Sequence, residues 1–472
     1  MKTVKPTLPA GVRDYLPAEM IFRDKVLAKI RAMYEVFGFS PIETPAIERE
    51  EVLTGGKPLD MIIWRTSTSK VYEGDDRLAL HYDLTVPLAR VVAANNDLPR
   101  PFRRYQCQKV WRGEKPQAGR YREFMQFDAD IVGTASLLAD TEIVWLMVSA
   151  MSALGFTRFM VRFSTRKVLN ALAGMLDLEQ GSDRARDLFR ILDKQDKIGR
   201  DGVAALLGKA FVDHADRDPN DPEATESGLG FSEDQITIAR SFLDIGGDTD
   251  QVLASLSAFF KGRSALGEEA VKDLETMSKG LVNLGVPKEN WTVDITVARG
   301  LAYYTGPVFE TTLLDLPEIG SVMSGGRYDD LVTRFTGESL PATGASIGVD
   351  RLFAAMEKLG MVKGCKTATR VLVTIMDPKL TDRCLDVLQR LRNAQIPAEI
   401  YMGPDMAIKA QLAYALNQNI PFVIFLGQSE VEKGTIQIKD TFNREQLEVP
   451  MADLVEKIEE RRRLHILQRK DA

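Results

Sequence analysis

Arginines set among tyrosines, glutamines and aspartates mark out where this 472-residue chain could do chemistry. The richest stretch runs from Arg103 to Gly133, RRYQCQKVWRGEKPQAGRYREFMQFDADIVG. Strand side chains alternate between faces. In its second half, Arg120, Arg122, Phe124, Gln126, Asp128 and Asp130 therefore share one face. The opposite face carries Tyr121, Glu123, Met125, Phe127, Ala129 and Ile131, which suits a core. The preceding strand places Arg104, Gln106, Gln108 and Arg112 together. Buried polar groups are costly unless paired or bound to a ligand, so these faces read as a binding floor. A solvent-facing sheet laced with ion pairs is the plainer alternative. Arginine suits phosphate because its planar fork makes bidentate, charge-assisted bonds.

Three further clusters repeat the theme. VARGLAYYTG places Arg299 after an alternation of Val293, Ile295 and Val297 and before Tyr303 and Tyr304. SGGRYDDL is glycine-rich and precedes a helical pattern. ATGASIGVDRL sets Gly344 and Gly348 ahead of Arg351 at a helix start, where backbone can approach a ligand and the arginine can reach phosphate. Each cluster alone is ordinary punctuation, but together they point to an arginine-rich nucleotide site on an antiparallel sheet. Competing signatures are missing from the sequence: there is no GxxxxGK[ST], no GxGxxG opening a helix after a strand, and no Gly-x-Ser-x-Gly elbow. Only His81, His214 and His465 exist, and Cys107, Cys365 and Cys384 form no CxxC pair, so neither histidine-based catalysis nor a zinc site is expected.

The elements that must position these residues follow from periodicity. A helix is expected from about Ala18 to Phe37, then a Pro-bounded strand signal in GFSPIETPAIE. Ala79 to Gly133 reads as strand, helix and two long strands joined by a loop. Lys167 to Glu289 is helical and strongly charged, with a polar loop at DHADRDPNDPEATESG. Strand signals return at Trp291 and end in the helical VDRLFAAMEKLG. Beyond a linker at MVKGCKTATR, the runs TRVLVTIMD, AEIYMG and PFVIFLG alternate with helical segments. A strand pair, TIQIKD and QLEVP, and a charged helix complete a separate α/β domain. A chain of this length has a prior of about three domains. The apolar run Ile143 to Phe156 is too short to span a bilayer and is expected as a buried helix. With no signal peptide evident, a cytoplasmic protein without a membrane partner is the expectation. The net charge of −6 argues against a uniformly basic nucleic-acid binder. Its distribution is uneven, because Lys366 to Ala472 holds 16 basic and 15 acidic residues and the acidic excess lies elsewhere. Arg461, Arg462, Arg463, Arg469 and Lys470 on the last helix suit either a solvated face or an RNA contact.

These residues, in this order, resemble the class II aminoacyl-tRNA synthetases, and within them the histidyl-tRNA synthetase family. Arg112 with Glu114, then GRYREF, is similar to class II motif 2, and GASIGVDRL to motif 3. RGLAYYTG and SGGRYDDL resemble the two histidyl signatures. LPAGVRDYLP, HYDLTVPLAR and the run from DMAIKAQLAYA through GTIQIKD fit as well. The resemblance implies an α+β fold: an antiparallel sheet flanked by helices, a helical insertion domain and a C-terminal α/β anticodon-binding domain. It divides the chain into 1–166 and 290–362 (catalytic core), 167–289 (insertion) and 368–472 (anticodon binding). It further implies a homodimer whose substrates are L-histidine, ATP with Mg²⁺, and tRNA(His). The carboxylate of histidine would attack the α-phosphorus of ATP, and the terminal ribose of the tRNA would then take the histidyl group.

By the same resemblance, Arg112 holds the α-phosphate and the histidine carboxylate, and Arg299 sits opposite, where other class II enzymes use a metal. Glu114 faces the adenine side, Arg120 belongs to the ATP site, and Arg351 stacks on adenine or clamps the γ-phosphate. Asp83, Leu84 and Thr85 form the histidine-site segment, with Asp83, Thr85 and Gln126 on the α-ammonium group. Asp130, with Tyr303 or Tyr304, reads the two imidazole nitrogens, and Tyr328 lines the same pocket. The metal ligands are left open. Two positions depart from the commoner pattern: Ala302 stands where the family usually has Asp, and HYDLTVP carries Asp-Leu-Thr rather than Glu-Gly-Thr. A related possibility is a non-charging paralogue acting as a regulatory subunit of histidine biosynthesis. Such relatives generally lack the C-terminal domain and the arginine/glutamine constellation, both of which this chain keeps.

Overall fold

A computed structural model describes residues 3–55, 63–66, 77–113, 115, 121–192, 194–211, 228–297, 304–362 and 366–470. Two units emerge from it, Met1–Arg13 with Leu27–Met361, and Asp14–Val26 with Val362–Ala472. In chain order the first unit contains β1 (Ser40–Pro41), β2 (Ile47–Arg49), β3 (Trp64–Thr66), β4 (Leu78–Leu80), β5 (Phe102–Trp111), β6 (Glu123–Val132), β7 (Phe159–Thr165), β8 (Trp291–Val293), β9 (Pro307–Leu313), β10 (Met323–Tyr328) and β11 (Ala342–Gly348). Eight of these form one sheet in the order β1-β5-β6-β11-β10-β9-β7-β8. Its six central strands, β5 to β7 in that order, are antiparallel throughout. The two short edge strands β1 and β8 pair in parallel. Strands β2, β4 and β3 make a small separate sheet.

The alternation along β6 does what its sequence requires. Phe127, Ala129 and Ile131 are buried on the apolar face, where Tyr34 of the helix Pro17–Val36 meets Phe127 edge-on at 5.1 Å. The apolar run beginning at Ile143 lies in the helix Leu137–Ala153, capped by the Ser136 side chain and largely buried. Arg327 of β10 is tied to Asp140 of that helix by a buried pair at 2.5 Å, so helix and sheet are joined by charge as well as packing. The segment expected to be helical contains Arg166–Met175, Asp183–Leu192, Gln195–Gly208, Glu233–Leu243, Thr249–Phe260 and Ala265–Asn283. Ser232 and Asp248 each close a capping box with a Gln three residues on, which satisfies donors at both helix starts.

Two local expectations differ. The alternation ending at Val297 continues as a strand only to Val293, because the Asp294 side chain accepts from the Thr296 N–H and turns the chain. SGGRYDDL is a strand over its first five residues, followed by a single helical turn, Thr333–Thr336.

In the second unit, β12 (Val371–Val373), β13 (Ala398–Ile400), β14 (Phe422–Phe425), β15 (Thr435–Asp440) and β16 (Glu445–Pro450) form a sheet in the order β13-β12-β14-β15-β16. The first three are parallel and are crossed by the helices Thr381–Asn393 and Ile408–Asn417, as continuous apolar runs separated by helices suggest. Val371, Val373, Phe422, Ile424, Leu388 and Leu391 are among the residues of its core. On the terminal helix Leu454–Lys470, Arg461 pairs with Glu445 and Arg462 with Glu459. No described helix is long and apolar enough to cross a membrane.

Candidate active site

Register turns the polar faces of five strands into one floor. Arg104 of β5 lies opposite Asp130 of β6, which lies opposite Gly344 of β11, itself opposite Gly326 of β10. The next row is Gln106, Asp128, Ser346, Ser324 and, on β9, Glu310. The glycines keep this floor low. A Cβ at Gly344 would fall on the Asp130 carboxylate, and one at Gly326 would meet the Tyr304 ring. Glycines that read as turn punctuation are thus strand residues placed where a side chain would fill the site.

A cavity of about 540 Å³ stands on this floor, and a smaller one of about 200 Å³ adjoins it. Arg112, Gln126, Ser346 and Arg351 line both. Of the residues expected at the site, Asp83, Thr85, Arg112, Gln126, Asp130, Tyr304, Tyr328 and Arg351 all border the larger cavity. Leu84 does not. Its side chain is buried away from the cavity, and its carbonyl accepts from Arg104 Nη2 at 3.3 Å. Arg299, Tyr303, Glu114 and Arg120 lie outside the described residues, as does Ala302.

Carboxylates dominate the deep end. Asp83, Asp128 and Asp130 are each nearly inaccessible. Burial raises the Asp130 carboxyl above the usual range, against the pull of Arg104 and a hydrogen bond from Tyr328. Tyr328 donates to Asp130 Oδ1 at 2.6 Å, and Arg104 Nη2 lies 2.7 Å from Oδ2. Arg104, the largest fully buried side chain among the described residues, also donates to Gln106 Oε1 at 3.1 Å. Burial pushes the Asp128 carboxyl up to about 7, with Arg104 opposing and the Asp130 charge adding to the rise. Burial raises Asp83 as well, partly offset by the Val86 N–H it accepts at 3.1 Å at the start of the helix Thr85–Ala94. Gln126 Nε2 donates to Ser346 Oγ at 2.8 Å, while its Oε1 has no partner among the described residues.

Cations gather where the two cavities meet. The Arg112 guanidinium lies 5.1 Å from the Phe124 ring centre and donates from Nε to the Tyr82 carbonyl at 3.1 Å. Stacking and that bond set the plane of the fork. Arg351, two residues into the helix Val349–Lys358, donates to the Ser321 carbonyl at 2.7 Å. Asp350 beside it accepts from the Met125 N–H at 2.7 Å and so locks that helix start to β6. Upstream, the Gly11 carbonyl accepts from Arg122 N–H at 2.7 Å, which brings the LPAGVRD segment over the start of β6.

An acidic pocket beside an arginine-lined one suits a ligand that is cationic at one end and anionic at the other. A free amino acid carrying its carboxylate to a phosphate has that charge pattern. Arg104 and Asp128 were visible on the polar faces of the sequence, but their place in this site was missed. Glu310 carried no signal, because only strand register brings it into the Asp128 row.

Comparison with known proteins agrees with this geometry. A family model for histidyl-tRNA synthetase matches residues 11–352, and one for an anticodon binding domain matches residues 370–461. The histidine–tRNA ligase of Paracoccus denitrificans (strain Pd 1222) is 40% identical over 454 residues, spanning 92% of this chain and 90% of the relative. That of Ruegeria pomeroyi is 40% identical over 500 residues, spanning 97% and 98%. The crystal structure of histidyl-tRNA synthetase from Nostoc sp. PCC 7120 superposes with a TM-score of 0.83 at 34% identity, covering 97% of this chain and all of that one. With its polar sheet floor, acidic pocket and motif arginines, the chain belongs to the histidyl-tRNA synthetase family.

Proposed function

We propose that this chain is a histidine–tRNA ligase. It joins L-histidine to ATP as histidyl-adenylate, releasing pyrophosphate, and then esterifies the terminal ribose of tRNA(His), releasing AMP. The observation that carries the reading is the paired cavity. Three buried carboxylates face one lobe, and Arg112 and Arg351 stand where it joins the second.

The chemistry needs no protein nucleophile. The substrate carboxylate is already charged, and the barrier lies in bringing it to an anionic phosphate and stabilising charge on phosphorus. Arg112, fixed by Phe124 and the Tyr82 carbonyl, takes the carboxylate and the α-phosphate together. Arg351 takes the adenine ring or the γ-phosphate, with Glu114 and Arg120 completing the ATP side. By the family resemblance, Arg299 would serve the same carboxylate and phosphate. Asp83, Thr85 and Gln126 receive the α-ammonium group, and Leu84 supports them through its carbonyl to Arg104. Asp130, Tyr303, Tyr304 and Tyr328 surround the imidazole. A site whose polar groups would go unpaired rejects apolar isosteres of the ring strongly.

Mg²⁺ accompanies the ATP. Among the described residues no group of three His, Cys, Asp or Glu is placed to hold a metal ion. Mg²⁺ typically keeps several waters and rides on substrate phosphates with one or two carboxylates, and Glu310 on the cavity wall is suited to that part. The match of residues 370–461 to an anticodon binding domain favours charging over the regulatory-subunit reading. The chain would act as a cytoplasmic homodimer. Incubation of the purified protein with labelled histidine, ATP, Mg²⁺ and bulk tRNA is expected to give acid-precipitable histidyl-tRNA. Histidine activation without transfer to any tRNA would contradict the reading.

A further inference from the structure

His81 opens the HYDLT segment whose next residues serve the proposed site, and no role above uses its side chain. It is fully buried. The edge strand β1 pairs with β5 only at Arg104 and Tyr105, so beyond that point no strand covers the outer edge of β5. His81 takes that place. Its carbonyl accepts from the Trp111 N–H at 3.0 Å, and its Nε2 lies 2.7 Å from the Lys109 carbonyl oxygen. On the other side the His81 N–H donates to the Ala46 carbonyl at 3.0 Å, and Nδ1 lies 3.1 Å from the Pro45 carbonyl oxygen. The imidazole is thus clamped between two backbone carbonyls from segments distant in sequence.

A carbonyl oxygen only accepts, so a ring nitrogen beside one is satisfied by donating. A neutral imidazole has one N–H and one lone pair, whereas the imidazolium has two N–H groups. With a neutral ring, one of these carbonyls would face a lone pair in a buried place, which is costly. The charges around the ring suit the cation. Burial raises the Asp83 carboxyl, and the Val86 N–H, Arg112 and His81 oppose that rise. On the elements around the ring, Lys109 pairs with Glu123 at 2.7 Å and Glu48 with Arg90 at 2.7 Å, while Glu43 and Arg49 are exposed. Trp111, its ring centre 5.5 Å from that of His81, donates from Nε1 to Glu123 at 2.9 Å.

From this anchored residue the chain runs directly into the site. The Tyr82 carbonyl holds Arg112 Nε at 3.1 Å, Asp83 and Thr85 border the larger cavity, and the Leu84 carbonyl accepts from Arg104 at 3.3 Å. We propose, resting on the histidine-activating function above, that His81 is a positioning residue for amino-acid activation. Held as the imidazolium by the Pro45 and Lys109 carbonyls, it fixes where Asp83 meets the substrate ammonium group and where the Tyr82 carbonyl sets Arg112. It touches no substrate and acts through those neighbours.

Two measurements test this. The first is ¹⁵N NMR of the full-length protein labelled in its three histidine rings, the His81 signals being those lost in His81→Phe or His81→Gln. Both His81 ring nitrogens are expected to carry a proton at pH 7. A neutral ring with a single protonated nitrogen would overturn the proposal. The second is histidine-dependent ATP–pyrophosphate exchange. His81→Phe keeps a ring without donors and should raise the KM for histidine about tenfold, the factor that a hydrogen bond of about 1.4 kcal/mol is worth. The KM for ATP, which Arg351 also serves, should rise less. His81→Gln, whose amide nitrogen carries two N–H groups, should recover part of the loss. An unchanged histidine KM in folded His81→Phe, equal rises for histidine and ATP, or no recovery in folded His81→Gln would each overturn the proposal. Absence of exchange by the unmutated protein would instead overturn the histidine–tRNA ligase reading, while the NMR measurement would still report on the ring.

Discussion

Arg104→Met tests how the acidic pocket is held together. The substitution keeps much of the side-chain volume and removes the cation that faces the buried Asp128 and Asp130 carboxyls. Arg104 is 0% exposed and sits 2.7 Å from Asp130. Removing one partner of a buried pair costs about 3–5 kcal/mol, because the other charge is left uncompensated. That is a large share of a domain stability of about 5–15 kcal/mol. The effect carries a pH signature. Burial raises the carboxyls of Asp128 and Asp130, and Arg104 pulls both down, so in the variant both rise further. A carboxyl whose folded pKa exceeds its unfolded value of about 4 supports stability only at low pH and loses that support as pH climbs through the folded pKa. The variant should therefore fall furthest behind at pH 8.5 and approach the unmutated protein at pH 5.5. Thermal melting followed by circular dichroism at both pH values reads this directly, with an expected drop of roughly 5–10 °C at pH 8.5. A loss of equal size at both pH values, or none at pH 8.5, would show that Arg104 does not hold these buried carboxyls down.

Gly344→Ala should disable the pocket from another direction, since the new Cβ would fall on the Asp130 carboxylate and lie 2.7 Å from the Ala129 carbonyl oxygen. Exchange kinetics should show a histidine KM raised about 5- to 150-fold, corresponding to the 1–3 kcal/mol typical of overpacking, with the KM for ATP little changed. In the C-terminal unit, Asp440 is fully buried and lies 2.8 Å from His465 Nε2. Burial works to raise its carboxyl, but the Asn443 N–H and His465 outweigh it and hold the group below the usual range. Its stabilising contribution is therefore present above the unfolded carboxylate pKa of about 4 and lost as pH falls through the lower folded value. Asp440→Asn should cost about 1–3 kcal/mol at pH 7, with the gap closing in acid, as urea unfolding at pH 7 and pH 3 would measure. Deleting Lys366–Ala472 should impair tRNA charging far more than pyrophosphate exchange, measured side by side on the same preparation.

The sequence shows more of this site than of its wiring. The period-two pattern along Glu123–Val132 separates an apolar face from one bearing Gln126, Asp128 and Asp130, because a half-buried strand must sort its side chains that way. It could not reveal that Arg104 faces Asp130. Register between two strands is set by their connection, and the loop GEKPQAG is longer than the tight turns that fix it by type. Gly325 and Gly326 look like loop residues for a similar reason. Their small size answers to the Tyr304 ring and the neighbouring strand backbone, which are distant in sequence. The second unit was legible almost element by element, since apolar runs of three or four residues between amphipathic helices leave few alternatives to a parallel sheet.

On the proposed function, the acidic lobe selects histidine and the adjoining arginines join it to ATP. The most direct measurement is ATP–pyrophosphate exchange by the purified full-length protein with each of the twenty amino acids in turn. Exchange with histidine alone is expected. Exchange with no amino acid, or equally well with one that lacks a ring N–H, would contradict it.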